Sequence, residues 1–179
     1  MTSQSIDTLT TKRMRAERIA EPHFAHLVAL YQDREVMATL GGVQSVTQIR
    51  KGFEQNVAHW DEHGFGLWCF FDLETGRFAG RGGLRKLIQD GELEIEIAYA
   101  IPASHWGQNR ATEIAAASAE IAFNQLSMEN VVAFTLPDNR ASRRVMEKLH
   151  MTYERDIIHA DMPHVLYRVT REHYLASVK

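Results

Sequence analysis

The sequence predicts a single-domain α/β fold built on a mixed sheet, and three observations carry that expectation. Its 179 residues are enough to bury one core without a metal or a disulfide. No low-complexity linker, repeat or long charge block divides them. The apolar period also switches repeatedly between that of a helix and that of a strand, in the order β-α-α-β-β-β-α-β-α-β-β.

Thr10 to Ile19 alternates long and basic residues and reads as a first strand. Glu21 to Gln32 places Phe24, Leu27, Val28 and Tyr31 at helical spacing, with Pro22 in the first turn, where its missing N–H costs least. Gly41-Gly42 breaks the chain. Ser45 to Trp60 is a second helix striped by Ile49, Phe53, Val57 and Trp60, with Ser45 or Thr47 as its cap. Gly66 to Leu73 is rich in aromatic strand formers. A turn over Glu74-Thr75-Gly76-Arg77 returns the chain as the strand Phe78 to Lys86. After Asp90-Gly91 comes the clearest alternation, Glu92 to Ile101. Leu93, Ile95, Ile97, Tyr99 and Ile101 point one way, Glu92, Glu94, Glu96 and Ala98 the other. Pro102 ends it. Gly107 to Asn124 is a helix with a small-residue stripe, Ala111, Ala115, Ser118 and Ala122, suited to close approach to a sheet. Val131 to Leu136 is a strand, and Pro137-Asp138-Asn139 opens a helix to Leu149. Strands near Met151 to Ile158 and Val165 to Thr170 precede a short last helix. The domain spans 10–174, behind a polar extension over 1–9.

Composition narrows the function. A net charge of -3 disfavours a nucleic-acid binder. One cysteine excludes a disulfide framework and a cysteine-rich zinc site. The amino terminus lacks the pattern of a secretory signal, and no apolar run approaches the roughly 20 residues that span a bilayer. The expectation is a cytoplasmic protein, monomeric or homodimeric, with no nucleic-acid or membrane partner. Ten of the eleven glycines lie at or before Gly91, which leaves Gly107 alone for the later half.

Chemistry is expected where the strand ending at Ile101 turns into the helix after Gly107. Unsatisfied N–H groups at a helix start hold anions well. The turn reads Trp106-Gly107-Gln108-Asn109-Arg110-Ala111-Thr112-Glu113. Asn109 accepts a left-handed backbone more readily than most residues, Arg110 adds charge and Thr112 adds a hydroxyl. An ordinary capped helix is the competing reading.

That stretch resembles the pyrophosphate loop, Q/R-x-x-G-x-G/A, of the GNAT superfamily of N-acetyltransferases. It is most similar to the branch that acetylates ribosomal-protein amino termini at alanine or serine. Asn139-Arg140-Ala141-Ser142 through Glu147-Lys148-Leu149 resembles that branch's N-x-x-S-x-x-x-x-E-K-L-G-F segment. Gly64-Phe65-Gly66-Leu67-Trp68, Gly80-Arg81-Gly82-Gly83-Leu84 and Glu96-Ile97-Ala98-Tyr99 resemble it too, in the same order. The likeness covers about Thr11 to Tyr174. Two positions depart from the pattern: Asn109 and His150 stand where glycine is expected.

The resemblance implies a mixed, mainly antiparallel sheet flanked by helices, and acetyl transfer from acetyl-CoA to an amine without a covalent enzyme intermediate. It implies main-chain contacts to the pantetheine arm at Tyr99, Ala100 and Ile101. The pyrophosphate would lie over Trp106, Gly107, Gln108, Asn109, Arg110, Ala111 and Thr112, with Asn139 and Ser142 beside the thiol. Ser142 is then the candidate acid for the leaving thiolate, although by spacing alone Asn139 is a helix cap and Ser142 a solvated first-turn serine. Glu94 and Glu96, on one strand face, are the candidate bases, Glu96 ahead because it lies nearer the loop. Their competing reading is a solvated face. The acceptor is a protein amino terminus or a small amine, and an acidic strand face would suit a cationic one. The alternative function, prompted by Asn109 and His150, is a catalytically weak or inactive acyl-CoA-binding module.

Among the remaining groups, His59 and His63 share a helix end without a third metal ligand in sequence reach. His159 and His164 flank Asp161-Met162-Pro163, a turn that borders the acceptor site in relatives. Cys69 reads as a buried hydrophobe. Arg140, Arg143, Arg144 and Lys148 form a basic helix face near the phosphate end. No metal site is expected.

Overall fold

The computed structural model describes residues 6–178. Eight strands form one sheet in the order β1-β2-β3-β4-β5-β6-β8-β7. They are β1 (Thr8–Thr10), β2 (Met14–Arg18), β3 (Leu67–Asp72), β4 (Phe78–Gln89), β5 (Glu92–Ala100), β6 (Asn130–Thr135), β7 (Thr152–His159) and β8 (Met162–Thr170). Neighbours are antiparallel except β5 and β6, which run parallel. Helices α1 (Phe24–Gln32), α2 (Arg34–Met37) and α3 (Val46–His63) lie between β2 and β3. Helix α4 (Arg110–Glu120) crosses from β5 to β6, α5 (Arg140–Lys148) leads from β6 to β7, and α6 (Arg171–Ser177) follows β8.

Most elements sit where the sequence places them, and the differences have local causes. The expected strand Thr10 to Ile19 is a hairpin, β1 and β2, because the backbone turns where the Thr11 N–H donates to the Met14 carbonyl at 2.8 Å. Of the expected polar extension, residues 1–5 lie outside the described residues. Ile6 to Leu9 are tied into the fold, since Trp68 Nε1–H donates to the Ile6 carbonyl and β1 pairs with β2. Helix α2 was not expected; the Asp33 carboxylate caps it by accepting from the Glu35 and Val36 N–H groups. Helix α4 begins at Arg110, after Asn109, and continues beyond Glu120 as a π turn over Ile121–Gln125. β8 starts earlier than expected, at Met162, because the turn is the tight pair Ala160-Asp161, both with left-handed backbone. Pro163 therefore lies inside the strand.

Ser45 caps α3: its hydroxyl accepts the Gln48 N–H, and the Gln48 side chain accepts the Ser45 N–H, a reciprocal box. Ile49, Phe53 and Trp60 bury the inner face of α3. Trp60 Nε1–H donates to the Leu67 carbonyl at 2.8 Å, which fixes the helix against β3. On the other side of the sheet, α4 lies close to β4. A Cβ on Gly82 would stand 2.3 Å from Ile114 Cγ2, so only glycine permits that approach. Ala115, Ser118 and Ala122 are buried in the same contact.

Candidate active site

Registered pairing between β5 and β6 is limited to Glu96 opposite Val132. Beyond it the strands part, and two clefts open along the gap. A cleft of about 430 Å³ runs along Tyr99, Ala100 and Ile101 to the α4 loop and the start of α5; we call it the loop cleft. A second, of about 300 Å³, lies between the sheet and α1–α3; we call it the strand cleft. Thr39, Leu40, Tyr99 and Ser142 line both, so these side chains form the boundary common to the two spaces.

The loop is shaped by its backbone. Gly107 and Asn109 both take left-handed conformations, with φ of 72° and 60°. Asn109 thus adopts the geometry a glycine would take there. The Asn109 side chain makes no cap bond to α4, whose first turn, Arg110 to Thr112, lines the loop cleft. Trp106 Nε1–H donates to the Ile101 carbonyl, which holds the loop on the end of β5. The Asn109 side chain is tied to α5, where Lys148 Nζ donates to its Oδ1 at 2.7 Å. Gln108 donates to the Ser104 carbonyl. His150, the other departure, also has a left-handed backbone with φ of 60°.

Arg110 behaves differently from its expected part as a free loop charge. Its Nη2 pairs with Asp72 Oδ2 at 2.5 Å across the top of β3. Asp72 also accepts from the Thr75 N–H and hydroxyl, and these bonds with the Arg110 pair hold its carboxyl well below the usual range. Arg110 Nη1, however, is buried without a partner in a residue that lines the loop cleft. Glu113, in the same turn, accepts from the Thr11 hydroxyl, the Arg13 N–H and the Arg13 guanidinium. The start of α4 is therefore clamped to the β1–β2 hairpin and to β3. Arg144 and Lys148 of the basic α5 face line the loop cleft.

Asn139 does cap α5, accepting the Ser142 N–H at 3.1 Å, as the competing reading held. Ser142 is not a solvated serine, because its Oγ lies 2.8 Å from the Tyr99 hydroxyl. Burial pushes the Tyr99 phenol well up, so that it keeps its proton at any physiological pH.

The two glutamates are not on a solvated face. Glu94 and Glu96 are only 6% and 4% exposed, whereas Leu93 on the opposite face is 57% exposed. Glu94 receives a bidentate pair from Arg168, at 2.9 and 2.6 Å, and lines neither cleft. This corrects its expected part as a base: it is a carboxylate spent on joining β5 to β8. Glu96 lines the strand cleft. Arg85 donates to it at 2.8 and 2.6 Å, both times to Oε2, which leaves Oε1 its acceptor capacity.

His159 and His164, which flank the turn that borders the acceptor site in relatives, both line the strand cleft. The Gln89 amide nitrogen donates to Asp90 Oδ1 and the Ile158 carbonyl. Its oxygen therefore accepts from His159 Nδ1, at 3.1 Å, and Nε2 keeps its lone pair. Burial lowers the His159 pKa, against the opposing pull of the nearby Glu96 charge. His59 has both ring nitrogens engaged, donating to the Phe65 carbonyl and accepting the Lys86 N–H. Among the described residues no three His, Cys, Asp or Glu side chains gather as a metal site. Cys69 is fully buried, its thiol pushed up to about 12 by desolvation.

A parted parallel strand pair beside a helix-start loop is the geometry of an acyl-CoA groove, and the family model of the acetyltransferase (GNAT) domain matches residues 13–152. The chain belongs to the GNAT acetyltransferase family. An uncharacterised protein of Bacillus subtilis, YkkB, is 31% identical over 160 residues, 89% of this chain and 93% of its own. The FsC-acetyl coenzyme A-N(2)-transacetylase of Aspergillus fumigatus is 26% identical, covering 100% of this chain and 83% of its own. The crystal structure of an acetyltransferase from Agrobacterium tumefaciens superposes with a TM-score of 0.81 at 25% identity, covering 92% of this chain and 95% of that one. This GNAT protein is an acyltransferase with acetyl-CoA as its co-substrate. The loop cleft fits that molecule, with an unpaired strand edge, the first turn of α4 and the partnerless Arg110 Nη1 along its wall.

Proposed function

We propose that this GNAT protein is an N-acetyltransferase that moves an acetyl group directly to a primary amine held in the strand cleft. The observation that carries the reading is that Tyr99 and Ser142 line both clefts, so that a thioester in one and an amine in the other would face the same two hydroxyls. Acetyl-CoA supplies the activated acyl group. Tyr99, Ala100 and Ile101 align it through their main chain. The amides from Gly107 to Thr112, with Arg144 and Lys148 on the α5 side, hold its phosphates, while Trp106 and Asn139 shape the two ends of the groove. Arg110 acts mainly by positioning, since Asp72 takes its charge.

The amine must lose a proton before it attacks. His159 Nε2 accepts that proton, directly or through water, and the Glu96 carboxylate beside it favours the imidazolium that forms. The Ser142 hydroxyl, hydrogen-bonded to the protonated Tyr99, passes a proton to the departing sulfur and recovers, directly or through water, the second proton that the nitrogen sheds as the amide forms. The acceptor is a small amine, or the first residue of a protein amino terminus as in the branch the loop resembles. A relative named as an N(2)-transacetylase agrees with nitrogen as the acceptor atom.

The second reading, a non-catalytic acyl-CoA-binding module, drew on Asn109 and His150. Both hold the left-handed backbone that glycine would supply, Asn109 in the loop and His150 after α5, so neither departure bars the backbone shape at its position. Calorimetry with CoA, beside thiol release from acetyl-CoA over a panel of amines, separates the two. Ser142→Ala is expected to lower kcat tenfold or more with CoA affinity and thermal midpoint nearly unchanged. Unchanged turnover would remove Ser142 from the mechanism. CoA binding without turnover on any amine would favour the module.

A further inference from the structure

The strand cleft holds a buried cation that no carboxylate answers among the described residues. Arg81 is 9% exposed and projects from β4 into the cleft, where Tyr31 of α1 accepts its Nε–H at 2.8 Å. Its Nη1 is buried and has no hydrogen-bond partner among the described residues. Among the described residues no carboxylate pairs with it. Arg85, four residues along the same strand face, is answered by Glu96. The cleft's charged lining is thus two guanidiniums to one carboxylate. The acidic face expected to favour a cationic acceptor is spent elsewhere, Glu94 on Arg168 and Glu96 on Arg85.

An unpaired guanidinium N–H in a desolvated site is costly, and a planar fork is the donor best matched to a carboxylate. Resting on the reading of the strand cleft as the acceptor side, we propose that the acceptor carries a carboxylate which docks on Arg81. Its substrate class is then an amino acid or amino-acid-like amine rather than a polyamine. Arg81 anchors the acid end at β4, and the amine reaches past Glu96 and His159 toward Tyr99 and Ser142. A volume of about 300 Å³ suits a molecule of that size.

The test uses matched acceptors that differ only at the acid group: L-amino acids, their carboxamides and the corresponding decarboxylated amines, with spermidine added. Thiol release from acetyl-CoA is read as kcat/KM. The carboxylate members are expected to exceed their carboxamides at least tenfold, carried mainly in KM. Arg81→Met should close that gap, and Arg81→Lys, which keeps the charge without the fork, should restore part of it. Carboxamides or spermidine turned over as well as the carboxylates would overturn the proposal, with the acetyltransferase reading intact. Absence of both CoA binding and thiol release would instead overturn the acetyltransferase reading. A second readout needs neither turnover nor a folded variant. N-acetyl-amino acids, the products, should raise the thermal midpoint of the CoA-loaded wild-type protein more than their carboxamides do, and equal shifts would count against Arg81 as an acid anchor.

Discussion

The Gln89 amide nitrogen is spent on Asp90 and on the Ile158 carbonyl, so only its oxygen remains for His159. That choice assigns the imidazole proton to Nδ1 and leaves Nε2 basic inside the strand cleft. Burial makes the neutral ring the resting form by holding its pKa below the ordinary ~6.5. A base of this kind is active above its pKa and lost as pH falls through it. The acid limb of kcat/KM should therefore lie below about pH 6.5 in the wild type. His159→Gln should lower kcat/KM by ~100-fold and remove that limb; a limb unmoved in the variant would assign it to another group. Sequence alone singles out His159 by its position near a turn. The partner that orients it lies 70 residues away, which is why its tautomer was not legible.

Among the elements, β5 shows most plainly what a local pattern can and cannot tell. The alternation from Glu92 to Ile101 identifies the strand and its two faces correctly. It does not tell that the glutamate face is buried as well, because Arg85 and Arg168 arrive from β4 and β8 to neutralise it. The β1–β2 hairpin was illegible for a similar reason, its turn being stapled by Glu113 from α4. Ser45, Asn139 and the small-residue stripe of α4 were legible, since caps and close helix–sheet contacts act over a few residues. The stripe needs its counterpart in β4. Gly82→Ala would press a methyl to 2.3 Å from Ile114 Cγ2 and 3.0 Å from the Ala98 carbonyl, and so shift α4 off the sheet. We expect a loss of ~1–3 kcal/mol in denaturant unfolding, with weaker CoA binding because the loop moves with its helix. A variant of wild-type stability would mean that α4 can relax there at no cost.

Taken as a whole, the molecule depends on imidazoles that it keeps neutral. His23 accepts the Ala20 N–H and His59 accepts the Lys86 N–H, bonds that only an uncharged ring makes. Desolvation lowers the pKa of both, as it does for His159. Each has its ordinary value of ~6.5 when unfolded, so between the folded and unfolded values the unfolded chain binds more protons. Their contribution is complete above about pH 6.5 and is lost as pH falls. The carboxyls of Asp72, Glu113 and Glu154, lowered by their hydrogen bonds and ion pairs, add a later loss below about pH 4. Thermal midpoints measured from pH 8 to 3 should therefore fall in two stages, and a flat profile between pH 7 and 5 would contradict the assignment of these rings. The single registered pair between β5 and β6 has a mechanical meaning as well. It makes the sheet two halves joined by one backbone pair, by side-chain ties such as Glu94–Arg168 and Gln89–His159, and by α4 as a strap from one half to the other. A ligand lying along the open edge of β5 spans both halves, so its affinity is bounded by how much that joint must flex to receive it. Substitutions far from the clefts that loosen one half against the other would then be read out as altered binding before they are read out as unfolding.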